Sequence, residues 1–162
     1  MGAEAREKLV SLIRDIHIAM LTTVDSDGSR DILRSRPMGT IEAEFDGDIW
    51  FFTSDQSGKV DDIAREHSVN VAYSSGEAWV SVSGTASLVH DRAKMEALWN
   101  PVLKAWFPDG LDTPDIALLR VRVHEAEYWE SHGKVAQAVG LLKALVTGQE
   151  SDAGENAKLM LN

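Results

Sequence analysis

The segment Asp48-Ile49-Trp50-Phe51-Phe52-Thr53-Ser54-Asp55-Gln56-Ser57-Gly58-Lys59-Val60 decides how this chain is read. Residues 48–54 are dense in β-formers, and Asp55-Gln56-Ser57-Gly58 is turn chemistry. From Ser57 onward, Val60, Ile63 and Ala64 recur at helical spacing, which makes Ser57 a candidate N-cap. An aromatic strand thus breaks into a polar turn and opens a helix with a lysine in its first turn. A helix start offers free N–H groups and the positive end of the dipole, a setting suited to a phosphate. Lys59 works against that dipole unless an anion is held there. Taken alone it is equally a solvated surface lysine, so its neighbours must decide.

Working outward, Leu9, Leu12, Ile13 and Ile16 recur at helical spacing over residues 3–16. Residues 18–24 read as a buried strand, Asp25-Ser26-Asp27-Gly28-Ser29 as a hairpin loop, and residues 30–42 as a second strand. Phe45-Asp46-Gly47-Asp48 turns the chain into the Trp50 strand. Beyond the Ser57 helix come a strand over 69–73, a turn at 74–77, and an alternating strand over 79–89 with Gly84 as a bulge or bend. A helix capped by Asp91 is expected over 92–106, then a loop over 108–114 and a long strand over 117–129. A final amphipathic helix is expected over 134–146. This gives one domain over residues 1–148 and a polar, frayed tail over 149–162. Short strands joined mainly by hairpins, with helices in a minority, suggest a mainly β fold with peripheral helices, an antiparallel barrel closed or nearly so. A doubly wound sheet is disfavoured, because strands and helices do not alternate regularly and no Gly-x-Gly-x-x-Gly turn follows a strand.

At 162 residues and 44% hydrophobic, the chain suits one domain with a real core. A formal net charge of −10 argues against a nucleic-acid partner and against an anionic membrane. Any phosphate must then be bound locally, by a few inward-pointing basic groups. There is no cysteine, which removes disulfides, zinc–thiolate sites and thiol nucleophiles. No apolar run reaches the length of a membrane span, and Met1–Arg6 lacks the apolar core of a signal peptide, so a cytoplasmic location is the expectation.

Arg34 and Arg36 stand two apart on a strand and share a face with Ile32 and Met38. They could steady an anion or a polar ring edge, or serve as solubilising charges on an edge strand. Pro37 removes a ladder donor and implies an edge or bulge. The five histidines show no metal-ligand spacing, and no serine stands in a Gly-x-Ser-x-Gly elbow. Asp61-Asp62 reads as a helix-start and surface pair. Among the tryptophans, Trp50 and Trp99 are read as core. Trp79, Trp106 and Trp129 sit at element ends beside polar residues, where an indole can flank a planar ligand or fill a subunit interface.

Taken together, Arg34-Ser35-Arg36-Pro37-Met38-Gly39, Trp50-Phe51-Phe52-Thr53-Ser54, Ser57-Gly58-Lys59-Val60 and Glu127-Tyr128-Trp129 resemble the pyridoxamine 5′-phosphate oxidase-like superfamily. Within it, Val80-Ser81-Val82-Ser83-Gly84, Trp99-Asn100-Pro101 and Lys104-Ala105-Trp106-Phe107-Pro108 are similar to the bacterial general stress protein 26 branch. The resemblance covers residues 5–130. It implies a six-stranded antiparallel split β-barrel, a homodimer, and FMN (FAD as an alternative) bound at the subunit interface. On that resemblance, Arg34, Arg36, Pro37 and Met38 belong to the cofactor site, with the Arg36-Pro37-Met38 strand along the flavin ring and ribityl chain. Phe52, Thr53 and Ser54 supply backbone and hydroxyl contacts, and Ser57 and Lys59 hold the phosphate. Trp129 matches the tryptophan the family presents from the partner subunit. Trp79 falls where the family's oxidases place a glutamine that contacts the ring. Those oxidases also carry an Arg-x-His segment after their tryptophan strand. Here Glu130-Ser131-His132-Gly133-Lys134-Val135 follows instead, so pyridoxamine phosphate oxidation is not expected.

Three functions stay open at this point: a flavin-binding general stress protein with a redox or flavin-buffering role, a flavin-dependent oxidoreductase acting on a small molecule, and a cofactor-free dimeric interaction module. Lys59, Ser57, Thr53 and the arginine pair weigh against the third.

Overall fold

The computed structural model describes residues 3–26, 28–131 and 154–160. Helix α1 (Ala3–Ile13) leads into β1 (Ile18–Ser26), β2 (Asp31–Gly39) and β3 (Asp48–Ser54). Helix α2 (Gly58–Arg65), β4 (Ser68–Ser74), β5 (Ala78–Val89) and α3 (Arg92–Leu98) follow. The long β6 (Ile116–Ser131) and a last strand β7 (Gly154–Met160) complete the described chain. All pairings are antiparallel, in the order β2-β1-β4-β5-β6-β3. The two ends of this path, β2 and β3, come close without pairing, and the barrel is split between them.

Strand alternation explains how one sheet serves two cores. On β3, Ile49 and Phe51 enter the barrel, while Trp50 and Phe52 face the opposite way. On β6, Leu119 and Val121 go in and Ile116 and Leu118 go out. The barrel core gathers Leu9, Leu21, Phe51, Val71, Val80 and Val82 under α1. Each fully buried side chain of that size is worth about 1.5–3 kcal/mol. The second core joins Phe52, Ile116 and Leu118 to Met95, Leu98 and Leu103, with Trp50, Trp99 and Phe107 partly buried around them.

Gly84 is the expected irregularity. The β5/β6 register shifts between Ser83 and Gly84, leaving His124 as the extra residue on β6. A Cβ at Gly84 would press into the Arg122 carbonyl oxygen, so no larger residue fits without a shift.

Two expectations are corrected. The helix over 92–106 ends at Leu98, because Trp99 and Asn100 are extended and Pro101 opens a separate 3-10 turn, Pro101–Ala105. A proline pushes its predecessor out of the helical region and cannot donate to the previous turn. The free tail from 149 is also overturned in part. Gly154–Met160 pairs with the C-terminal half of β6, and Ala157 and Leu159 pack on the barrel core. It thus adds a seventh strand, end to end with β3 along one side of β6. The expected helix over 134–146 lies outside the described residues. Among the described residues no helix is long and apolar enough to cross a membrane.

Candidate functional site

The split between β2 and β3 is where polar chemistry and open space coincide. A cleft of about 200 Å³ there is walled by Pro37, Met38 and Gly39 from β2, and by Phe52, Thr53 and Ser54 from β3. Lys59 closes one end, and Leu103, Trp106 and Phe107 form the far wall. Six of the residues assigned to a cofactor from sequence therefore meet in one place. Pro37 sits on the edge strand β2, as its missing N–H requires.

Lys59 is half-buried, and its Nζ donates to Ser57 Oγ at 3.0 Å. Among the described residues no carboxylate lies within ion-pair distance of it. Burial, and then the nearby Arg36 charge, hold its pKa below the ordinary lysine value. Ser57 occupies the N-cap of α2 in extended conformation, but its side chain takes none of the helix N–H groups. A half-buried cation, a hydroxyl and an uncapped helix start thus converge on one point, an arrangement that favours an anion.

Arg36 is held from behind. Its Nη1 donates to Thr23 Oγ1 at 2.7 Å and its Nη2 to Asp62 Oδ2 at 3.3 Å, while Thr23 Oγ1 donates to the same Asp62 oxygen at 2.9 Å. Thr23 and Asp62 are both buried. Asp62 is therefore no surface charge, contrary to the reading of Asp61-Asp62: it faces the barrel from α2 and binds Arg36. Nothing in the sequence separated it from its neighbour Asp61, since only the docking of α2 on β1 decides which of the two turns inward.

The remaining predicted residues are spread more widely. Arg34 is exposed, and its Nε donates to Asp25 Oδ2 at 2.5 Å on the surface, away from the cleft lining. Ser54 Oγ donates to Asp115 and accepts from the Gln56 N–H at 3.2 Å, so this hydroxyl is committed to the turn before α2. The same turn is tied to the end of β5 by His90 Nε2 and Asp55 Oδ2, 3.0 Å apart. Hydrogen bonds from Gln56 and His90 hold the Asp55 carboxyl below its ordinary range. Phe52 contributes a wall while its ring packs edge-on to Trp99, 5.5 Å between centroids. Trp79 and Trp129 do not join the cleft: they lie directly opposite each other on β5 and β6, both exposed. Trp106 does join it, with 59% of its surface exposed.

A family model described as "Pyridoxamine 5'-phosphate oxidase like" matches residues 4–152 of this chain. Protein bli-3 of Neurospora crassa is 35% identical, with 87% of this chain and 72% of that protein covered. The structure of the general stress FMN/FAD binding protein from Xanthomonas citri is 32% identical with a TM-score of 0.68, over 82% of this chain and 93% of that one. General stress protein 26 from Bacillus anthracis str. Sterne is 26% identical with a TM-score of 0.66, over 76% and 92%. A chain from Jannaschia sp. CCS1, 24% identical, shares the fold over 98% and 99% of the two chains, with a TM-score of 0.74.

Proposed function

The chain belongs to the pyridoxamine 5′-phosphate oxidase-like family, and from that premise we propose that it is an FMN-binding protein of the general stress type, with FAD as the alternative cofactor. Its role is redox or flavin buffering in the cytoplasm during stress. The observation that carries this reading is Lys59, a half-buried cation on Ser57 at the start of α2, with no carboxylate among the described residues within ion-pair distance. A phosphate monoester supplies the missing negative charge and accepts from Ser57, Lys59 and the first-turn N–H groups. Pro37, Met38, Phe52 and Thr53 then offer walls and backbone polar groups along the rest of the cofactor. Arg36, paired with Asp62 and held by Thr23, keeps its place beside Lys59 without having to be ordered on binding. When bound, the flavin supplies one- and two-electron chemistry; this chain's residues bind it and orient it.

The protein acts as a homodimer, with flavin at the subunit interface. Support comes from the outer face of the barrel, where Met20, Trp79 and Trp129 are large, apolar and exposed. A lone barrel leaves them in water, whereas a two-fold interface of standard size, about 1,600 Å², would cover them.

The test is direct. The purified protein should bind FMN stoichiometrically in a fluorescence titration, and the chromophore released from protein expressed in cells should be FMN or FAD. A colourless protein that fails to titrate with either flavin would refute the proposal.

A further inference from the structure

The cleft in the barrel split does not end at Trp106. It shares Gly39, Leu103 and Trp106 with a second hollow of about 420 Å³, a volume within the usual range for small-molecule pockets. Gly39 sets up no partition between them: a Cβ built there would meet nothing within 4 Å. Beyond that threshold, Ile18 and Ile41 continue an apolar lining, and Trp106 presents a largely exposed indole to both spaces.

The two spaces differ in charge. The first ends on Lys59, with Arg36 close behind it. Among the described residues no lysine or arginine lines the second; its titratable side chains are the exposed His17 and Glu42, and Thr40 and Asn100 add neutral polar groups. A phosphate or carboxylate ligand entering it would lose water and meet Glu42, with no lysine or arginine among the described lining residues to pair with it. A flat apolar ring would instead gain contact with the Trp106 face and the aliphatic walls.

We propose that this second hollow is a binding pocket for a flat, uncharged aromatic small molecule, held against Trp106 beside the flavin cleft. The pocket stands on its own lining; the flavin reading enters only as the identity of the neighbour its ligand would meet.

Two matched probes test it: menadione, which is neutral, and 1,4-naphthoquinone-2-sulfonate, which keeps the rings and carries a negative charge. Both are titrated by calorimetry into protein with and without FMN. Menadione should bind saturably to the FMN-loaded protein, and the sulfonate about ten-fold more weakly. Glu42→Lys, at an exposed position, should close most of that gap by strengthening the sulfonate about five-fold or more, with menadione changed by less than about two-fold. The proposal is overturned if menadione shows no saturable binding, if the two probes bind equally, or if Glu42→Lys leaves the gap intact. It is also overturned if FMN and menadione exclude one another, since the hollow would then be a berth for the flavin ring itself. Protein that takes up no FMN yet discriminates the two probes as described would refute the flavin reading and support the second pocket.

Discussion

Replacing Lys59 by methionine isolates the phosphate grip, because the substitution keeps the apolar stem and removes only the ammonium. Without a bound anion that ammonium is poorly placed: it is half-buried, Arg36 stands nearby, and it donates to the neutral Ser57 hydroxyl. Its loss should not weaken the fold. With FMN bound, the same group makes a charge-assisted contact to a phosphate, worth about 1.5–3 kcal/mol. At about 1.4 kcal/mol per decade, Lys59→Met should raise the FMN dissociation constant roughly 10- to 150-fold. Riboflavin has the same ring system but no phosphate, so its affinity should hold within about two-fold. Flavin fluorescence titrations on both proteins, with urea unfolding of the apoproteins, read all three quantities. Unchanged FMN affinity, or an equal loss for riboflavin, would remove Lys59 from the phosphate site.

The same residue gives a signed pH dependence. Burial and Arg36 lower its pKa below 10.5, so in the alkaline window between the folded and unfolded values the unfolded chain binds more protons. Below that window the folded apoprotein bears the cost of the buried charge. As pH rises through it the cost disappears, and the Lys59 contribution to apoprotein stability improves. FMN binding should move the opposite way, weakening as the ammonium is lost. On the acid side, affinity should fall below about pH 6, where a phosphate monoester takes up its second proton. Lys59→Met should abolish the alkaline fall in FMN affinity and leave an acid limb.

Other outcomes follow from the same geometry. Asp62→Asn removes the buried carboxylate that holds Arg36 and should cost about 1–3 kcal/mol in urea unfolding, less than the roughly 3–5 kcal/mol of a fully buried broken pair because the Arg36 side chain is 23% exposed; a loss below about 0.5 kcal/mol would mean the network holds nothing. Pyridoxamine phosphate, supplied with FMN and oxygen, should yield no pyridoxal phosphate at enzyme-like rates, and turnover of about 1 s⁻¹ or faster would contradict the reading. Trp99→Ala should cost about 3 kcal/mol of stability, since its ring packs on Phe52 in the second core. Trp129→Ala should spare the fold but weaken FMN binding and the dimer together, seen by light scattering and titration; a monomer with full FMN affinity would refute the shared site.

How much of this could be read without coordinates depends on how far apart the interacting residues lie. The barrel was legible because its signals are local: period-two alternation, Gly-containing turns, and Gly84 interrupting an otherwise regular strand. The break before Pro101 was equally local, and an expectation of continuous helix to Trp106 overrode it. The strand at Gly154–Met160 was hidden by composition, since Ala157 and Leu159 alone show the buried face and only β6 gives it a partner. For the site, the Ser57-Gly58-Lys59 start announced itself through its own turn. Which cation the buried acid meets depends instead on where Asp62 goes, and Asp62 goes to Arg36, 26 residues away, with Thr23 on a third element bound to both. The buried carboxylate pairs with Arg36, and among the described residues no carboxylate lies within ion-pair distance of Lys59 at the end of the cleft. The motif places the lysine, the hydroxyl and the helix start together, and the docking of α2 on β1 decides that Asp62 rather than Asp61 turns inward to Arg36.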